Sequence, residues 1–198
     1  MINKVYIPVL AAVFINCIGH AQTFPIDPKA SSITWTGKKL TGEHTGMLSF
    51  SKGELLFDES EFTGGSFEID MNSIVCVDIQ DKKSNTRLVD HLKSDDFFSV
   101  RTHPASRLSI TKVERDKTGS YNITANLTIK GVTRAITFPA TIAMTNGVLK
   151  ASAQLTFDRS KFNVRFGSNS FFDNLGDEMI YDDIELEVQL VGKTQEIK

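Results

Sequence analysis

From Tyr121 to Ile129 apolar and polar side chains alternate without a break. Tyr121, Ile123, Ala125, Leu127 and Ile129 carry one face, and Asn122, Thr124, Asn126 and Thr128 the other. A period of two over nine residues predicts a β-strand with one face in a core and one in water. Lys130-Gly131 then offers a tight reversal, with Gly131 as the left-handed residue of a turn carrying a glycine bulge. Ile136 and Phe138 resume the pattern on the return strand, so Tyr121–Phe138 reads as a hairpin.

The same rhythm runs through most of the chain. Phe24 to Pro28 is an extended lead-in, since its two prolines oppose a helix. Ile33, Trp35 and Gly37 form a first strand, and Leu48 and Phe50 a second. Gly53 marks a bulge or turn before Leu55-Leu56-Phe57, and Gly64-Gly65 a break before Phe67, Ile69 and Met71. Leu88, Val89 and Leu92 switch to helical spacing within 84–93, where Ser84 or Asn85 can cap a short helix. Leu108 and Ile110 return to strand spacing after Pro104. Asn146-Gly147 signals a turn, and Leu149, Ala151, Ala153, Leu155 and Phe157 alternate beyond it. A loop-like stretch from Asp158 to Asp177 precedes the last strand, with Ile184, Leu186, Val188 and Leu190 on one face. About eight antiparallel strands result, with no parallel crossover and no internal repeat. Such strands pair as a sandwich or close into a barrel. Their sequential order and the single helix favour a barrel, all-β and eight-stranded, with the helix covering one end.

Composition narrows the function. The 198 residues are 40% apolar with 14 Phe, enough for one domain with a partly aromatic core. The net charge of −2 and the lack of a basic stripe exclude a nucleic-acid partner. Residues 1–21 have Lys4, an apolar run from Val5 to Ile18, and Gly19-His20-Ala21, the pattern of a secretory signal peptide cleaved after Ala21. That run is short for a membrane span, so no integral span is expected. Residues 22–198 form the expected exported domain. Cys17 is an alternative lipidation site, disfavoured by Ile15 and Asn16 before it. Cleavage after Ala21 leaves Cys76 without a disulfide partner.

Several stretches, in order, resemble the YceI-like family. They are Ser32-Ile-Thr-Trp35, His44-Thr-Gly46, Leu92-Lys-Ser-Asp-Asp-Phe-Phe98 with Pro104, Leu127-Thr-Ile-Lys-Gly-Val-Thr133, Asp158-Arg159 with Phe162-Asn-Val164, and Asp182–Val188. The resemblance covers nearly all of residues 24–191. It implies a lipocalin-like antiparallel barrel, exported to the periplasm, whose lumen holds a long apolar lipid such as a polyisoprenoid, an isoprenoid quinone or a fatty chain. It brings no catalytic residues with it. The expected protein is therefore a carrier or store rather than an enzyme, with a lipid ligand and no cofactor. The alternative is a filled barrel acting by protein contact in the envelope, and pairing into a homodimer stays open.

The expected ligand-binding residues are the apolar strand faces: Trp35, Leu48, Phe50, Phe67, Ile69, Leu127, Ile129, Phe138, Leu155 and Phe157. Burying each CH₂ of a chain-like ligand there is worth about 0.8 kcal/mol. Arg159, with Arg165 and His44 behind it, is the candidate for a lipid headgroup; the rival role for either arginine is a salt bridge with Asp158 or Asp173. No metal is expected, because His44, His91 and His103 lack ligand spacing, and Asp177, Glu178, Asp182 and Asp183 read as a solvated loop rather than a calcium loop. No Gly-x-Ser-x-Gly elbow is present, and Cys76 has no basic neighbour in sequence. The sequons at Asn122 and Asn126 fall where a strand's polar face calls for Asn and Thr anyway.

Overall fold

A computed structural model describes residues 21–193. The expected signal peptide, apart from Ala21, lies outside the described residues, as does Cys17. The chain runs β1 (Ala21–Pro25), β2 (Ser32–Lys39), β3 (Gly42–Asp58), β4 (Glu61–Cys76), α1 (Lys82–Lys93), β5 (Ala105–Arg115), β6 (Tyr121–Ile129), β7 (Val132–Thr145), β8 (Val148–Asp158) and β9 (Ile180–Lys193). All pairings are antiparallel, and the sheet closes because β4 pairs with β3 as well as with β5.

Nine strands make eight staves. β1 pairs with Glu54–Asp58 of β3, and β2 with Gly42–Leu48 of the same strand. Both lie between β3 and β9, since β2 pairs with β9 and Ile26 bridges to Gly192. The expected lead-in is thus the first half of a stave, broken by the turn at Asp27, whose carboxylate accepts the Lys29 N–H at 2.9 Å. Every other stave neighbours the next in sequence, and the β2–β9 ladder joins the two ends of the series.

Alternation becomes burial most plainly in β6, where Tyr121, Ile123, Ala125, Leu127 and Ile129 are all buried and the polar positions between them are not. On the outer face the threonines pair across strands, Thr128 with Thr133 at 2.8 Å. The β6–β7 turn differs from expectation. Lys130 and Gly131 both take positive φ, 51° and 75°, and Ile129 pairs directly with Val132. That is a two-residue loop matched to the strand twist, without a bulge. Gly53 and Gly64-Gly65 also fail to interrupt the chain. β3 and β4 run through them. The ladder shifts register between Met47 and Ser49, between Phe50 and Lys52, and between Leu56 and Phe57, the last where Gly64 pairs with Leu56. Gly65 lies directly against the Glu54 backbone.

The two ends are closed differently. At one, Phe24, Phe57, Phe62 and Tyr121 form a chain of edge-on or tilted rings with centroids 5.0 to 5.5 Å apart. Each such pair adds about 0.5–1.5 kcal/mol beyond area burial. The other end is covered by α1 and the turns after it, with Leu92, Phe97, Ile74 and Trp35 in one cluster. The helix begins earlier than Ser84. Asp81 caps it by accepting the Ser84 N–H at 2.8 Å, and Asn85 instead donates to the carbonyls of Cys76 and Ile79.

Candidate functional site: an apolar lumen and its rim

Between the two closures lies a cavity of about 230 Å³. All eleven residues expected to bind a ligand stand on its wall. Trp35, Leu48, Phe50, Phe67 and Ile69 come from β2, β3 and β4, and Leu127, Ile129 and Phe138 from β6 and β7. Leu155, Phe157 and Arg159 complete the set from β8 and the turn after it. A period of two puts each on the inner face, and closure then aims all inner faces at one axis. The expected binding residues left out the floor, where Leu88, Leu92, Phe97 and Phe98 line the end that the helix was expected to cover. Leu88 and Leu92 carried that signal in their four-residue spacing.

Polar groups are few. Ser106 and Ser152 join the wall, and Lys38, Lys39, Glu43 and His44 contribute from the β2–β3 turn. The Trp35 indole N–H is buried and has no hydrogen-bond partner among the described residues. Such an orphan is uncommon, because an unpaired buried donor costs about 1–3 kcal/mol.

Arg159 is fully buried and most of its donors are spent on its own loop. Nη1 donates to the carbonyls of Phe166 at 2.8 Å and Val164 at 3.3 Å, Nη2 to Ile180 at 3.0 Å, and Nε to Tyr181 at 3.2 Å. Its counter-ion is Asp182, at 3.2 Å, rather than Asp158 or Asp173. Burial lowers the Arg159 pKa while Asp182 and Asp158 oppose that, and an arginine in this setting stays charged. Asp182 itself accepts from Ser168 and Ser170, at 2.9 and 2.6 Å, and so is not a solvated loop residue. The group ties the 158–182 excursion to the barrel. Arg165 does not reach the lumen; it lies 4.8 Å over the exposed Phe171 ring.

His44 faces an unexpected neighbour. Its Nδ1 donates to Asp78 Oδ2 at 2.8 Å, and the Cys76 thiol donates to Asp78 Oδ1 at 3.1 Å. Burial opposes ionisation of Asp78, but hydrogen bonds from His44, Cys76 and Thr45 prevail and lower its pKa to about 2. Burial and the bond to Asp78 push the Cys76 thiol up. The trio forms because the β3–β4 ladder sets Gly46 opposite Cys76, which nothing in the linear spacing reveals.

The model of the YceI-like domain matches residues 24–192. The chain belongs to the YceI-like family. Among solved structures, BcnA of Burkholderia cenocepacia is 25% identical with a TM-score of 0.68, covering 84% of this chain and 98% of that one. A polyisoprenoid binding domain from Saccharophagus degradans shares the fold at 13% identity, TM-score 0.62, over 88% and 99% of the two chains. A UPF0312 protein of Shewanella denitrificans is 31% identical over 88 residues. That match spans 44% of this YceI-like chain and 44% of the relative, so less than half of either length is aligned.

Proposed function

We propose that this YceI-like protein is exported to the periplasm and holds a long apolar lipid, of the polyisoprenoid or isoprenoid-quinone kind, in its lumen for transport or storage. The observation that carries the reading is the cavity itself. At about 230 Å³ it exceeds the ~150 Å³ at which a hydrocarbon-lined cavity already takes up benzene. Its wall is hydrocarbon along its length, with polar side chains gathered mainly toward the β2–β3 turn. The name of the Saccharophagus degradans domain gives independent support for a polyisoprenoid. Binding rather than catalysis fits a wall whose acid and imidazole, Glu43 and His44, sit at its outer edge and not in its depth. The unpaired Trp35 N–H suits a ligand whose head carries an oxygen acceptor.

The deciding experiment is lipid mass spectrometry on protein purified from its native host without detergent. A prenyl lipid near one per chain is expected. Lipid-free protein that also refuses added prenyl alcohols and quinones overturns the reading.

A further inference from the structure

Three side chains with different ligand chemistry meet where β3 and β4 leave the lumen. One ring nitrogen of His44, the Cys76 Sγ and one Asp78 carboxylate oxygen all lie within 4.8 Å of one another. Four-coordinate zinc with bonds of ~2.0–2.3 Å sets its ligand atoms roughly 3.3–3.6 Å apart. His44 Nδ1 stands 2.8 Å from Asp78 Oδ2 and Cys76 Sγ 3.1 Å from Asp78 Oδ1, so each has a carboxylate oxygen beside it. The three ligand atoms, already within 4.8 Å of one another, need only side-chain adjustments to surround one ion.

The supporting frame is already built. The Thr45 N–H donates to Asp78 Oδ1 at 3.0 Å, and the Val77 N–H to the Thr45 carbonyl at 3.0 Å. Asn85 at the start of α1 holds the carbonyls of Cys76 and Ile79 at 2.9 and 3.0 Å. Both strands and the helix therefore fix the segment that carries two of the three ligands, as ligand-orienting contacts do in metal sites. His44 and Asp78 are partly exposed, at 40% and 32%, which leaves an ion a path from solvent to the buried thiol.

We propose that His44, Cys76 and Asp78 form a site for one zinc-class divalent transition-metal ion at the rim of the lumen. The donor set decides the class. Magnesium and calcium take oxygen ligands, whereas a thiolate with an imidazole selects zinc and its borderline-soft neighbours. On binding, the thiol proton leaves to solvent and the sulfur electron pair bonds the ion. The proton that Nδ1 gives to Asp78 leaves that nitrogen and Nε2 takes one from solvent, so the imidazole stays neutral and the Nδ1 lone pair bonds the ion. A 2+ ion with one thiolate and one carboxylate leaves the site neutral. Three protein ligands leave a fourth position for water or another exchangeable group. The site stands apart from the lipid reading and holds whether or not the lumen is filled.

The test titrates untagged, chelator-stripped full-length protein with Co²⁺, then displaces it with Zn²⁺. The expected result is one Co²⁺ per chain with a thiolate-to-cobalt charge-transfer band that Zn²⁺ abolishes. His44→Gln, at a half-exposed position that leaves the fold intact, weakens binding by more than about tenfold, since even supporting residues of metal sites reach that. Cys76→Ser removes the band, with circular dichroism reporting that the barrel persists. Absence of the band in the parent protein, or an affinity that His44→Gln leaves unchanged, overturns the proposal.

Discussion

Gly46 lies flat against the indole of Trp35. A Cβ added at Gly46 would stand 2.5 Å from Cζ2 of Trp35 and 1.9 Å from the carbonyl oxygen of Val75. The glycine is therefore what lets a tryptophan stand on the inner wall beside the β3–β4 ladder. Neither the carbonyl nor the buried ring can yield without moving the ladder. Gly46→Ala should lower stability by about 1–3 kcal/mol, the usual cost of overpacking a close-fitted site. Urea unfolding followed by tryptophan fluorescence measures it, because Trp35 is the only tryptophan in the sequence. An unchanged midpoint would show that the contact is slack.

Filling the lumen should separate ligand uptake from folding. Ala153 lines the cavity from β8, whereas Ala143 on β7 is exposed. Ala153→Phe should cut the co-purifying lipid several-fold, at about 1–3 kcal/mol of stability, while Ala143→Phe leaves the lipid content alone. Equal lipid content in the two variants would place the lipid outside the lumen.

The Arg159 group predicts a large and specific loss. Arg159→Lys keeps the charge but replaces a planar fork with a single ammonium that cannot reach four carbonyls. Arg159→Met also strands Asp182, and breaking a buried ion pair from one side costs about 3–5 kcal/mol. Chemical denaturation should rank wild type above Lys and Lys above Met. Limited proteolysis should show the new cuts between residues 158 and 182. A headgroup role would instead show as lost lipid with unchanged stability.

Acid should find Glu68. Burial works against its ionisation, but hydrogen bonds from Ser51 and from Arg107, at 3.2 and 3.0 Å, win and hold its pKa below the ordinary 4.5. A carboxylate depressed in the folded state adds stability that is fully present above its unfolded pKa and lost as pH falls through the folded one. The advantage of wild type over Glu68→Gln should therefore be constant near neutrality and shrink as pH drops below about 4.5. Thermal unfolding of the two proteins at stepped pH reads this directly. A gap that persists at the lowest pH would assign the effect to packing.

Side-chain alternation was a sufficient guide to the inner wall. Leu127, Phe138, Leu155 and the other expected positions reach the lumen because a closed barrel leaves a period-two strand only one inside. What depended on pairing register stayed hidden. Asp182 lies 23 residues beyond Arg159, and Asp78 meets His44 only through the β3–β4 ladder. Glycines were misread for a related reason. At Gly65 the missing side chain serves a close approach of two backbones inside a continuous strand, and not a turn. The helix start was misplaced because Asp81, Ser84 and Asn85 are all good caps, and Asn85 is drawn away to Cys76 and Ile79.

The β2–β9 ladder also fixes when the lumen comes into being. It brings together residues such as Lys38 and Glu185, 147 positions apart, whereas each other pair of staves is adjacent along the chain. A chain made from its N-terminus can form its hairpins one after another, but it stays an open curl until β9 has been synthesised. An interrupted chain lacking β9 has no inside at all. Any ligand therefore meets a lumen only once β9 is in place, the strand that turns a sheet into a container.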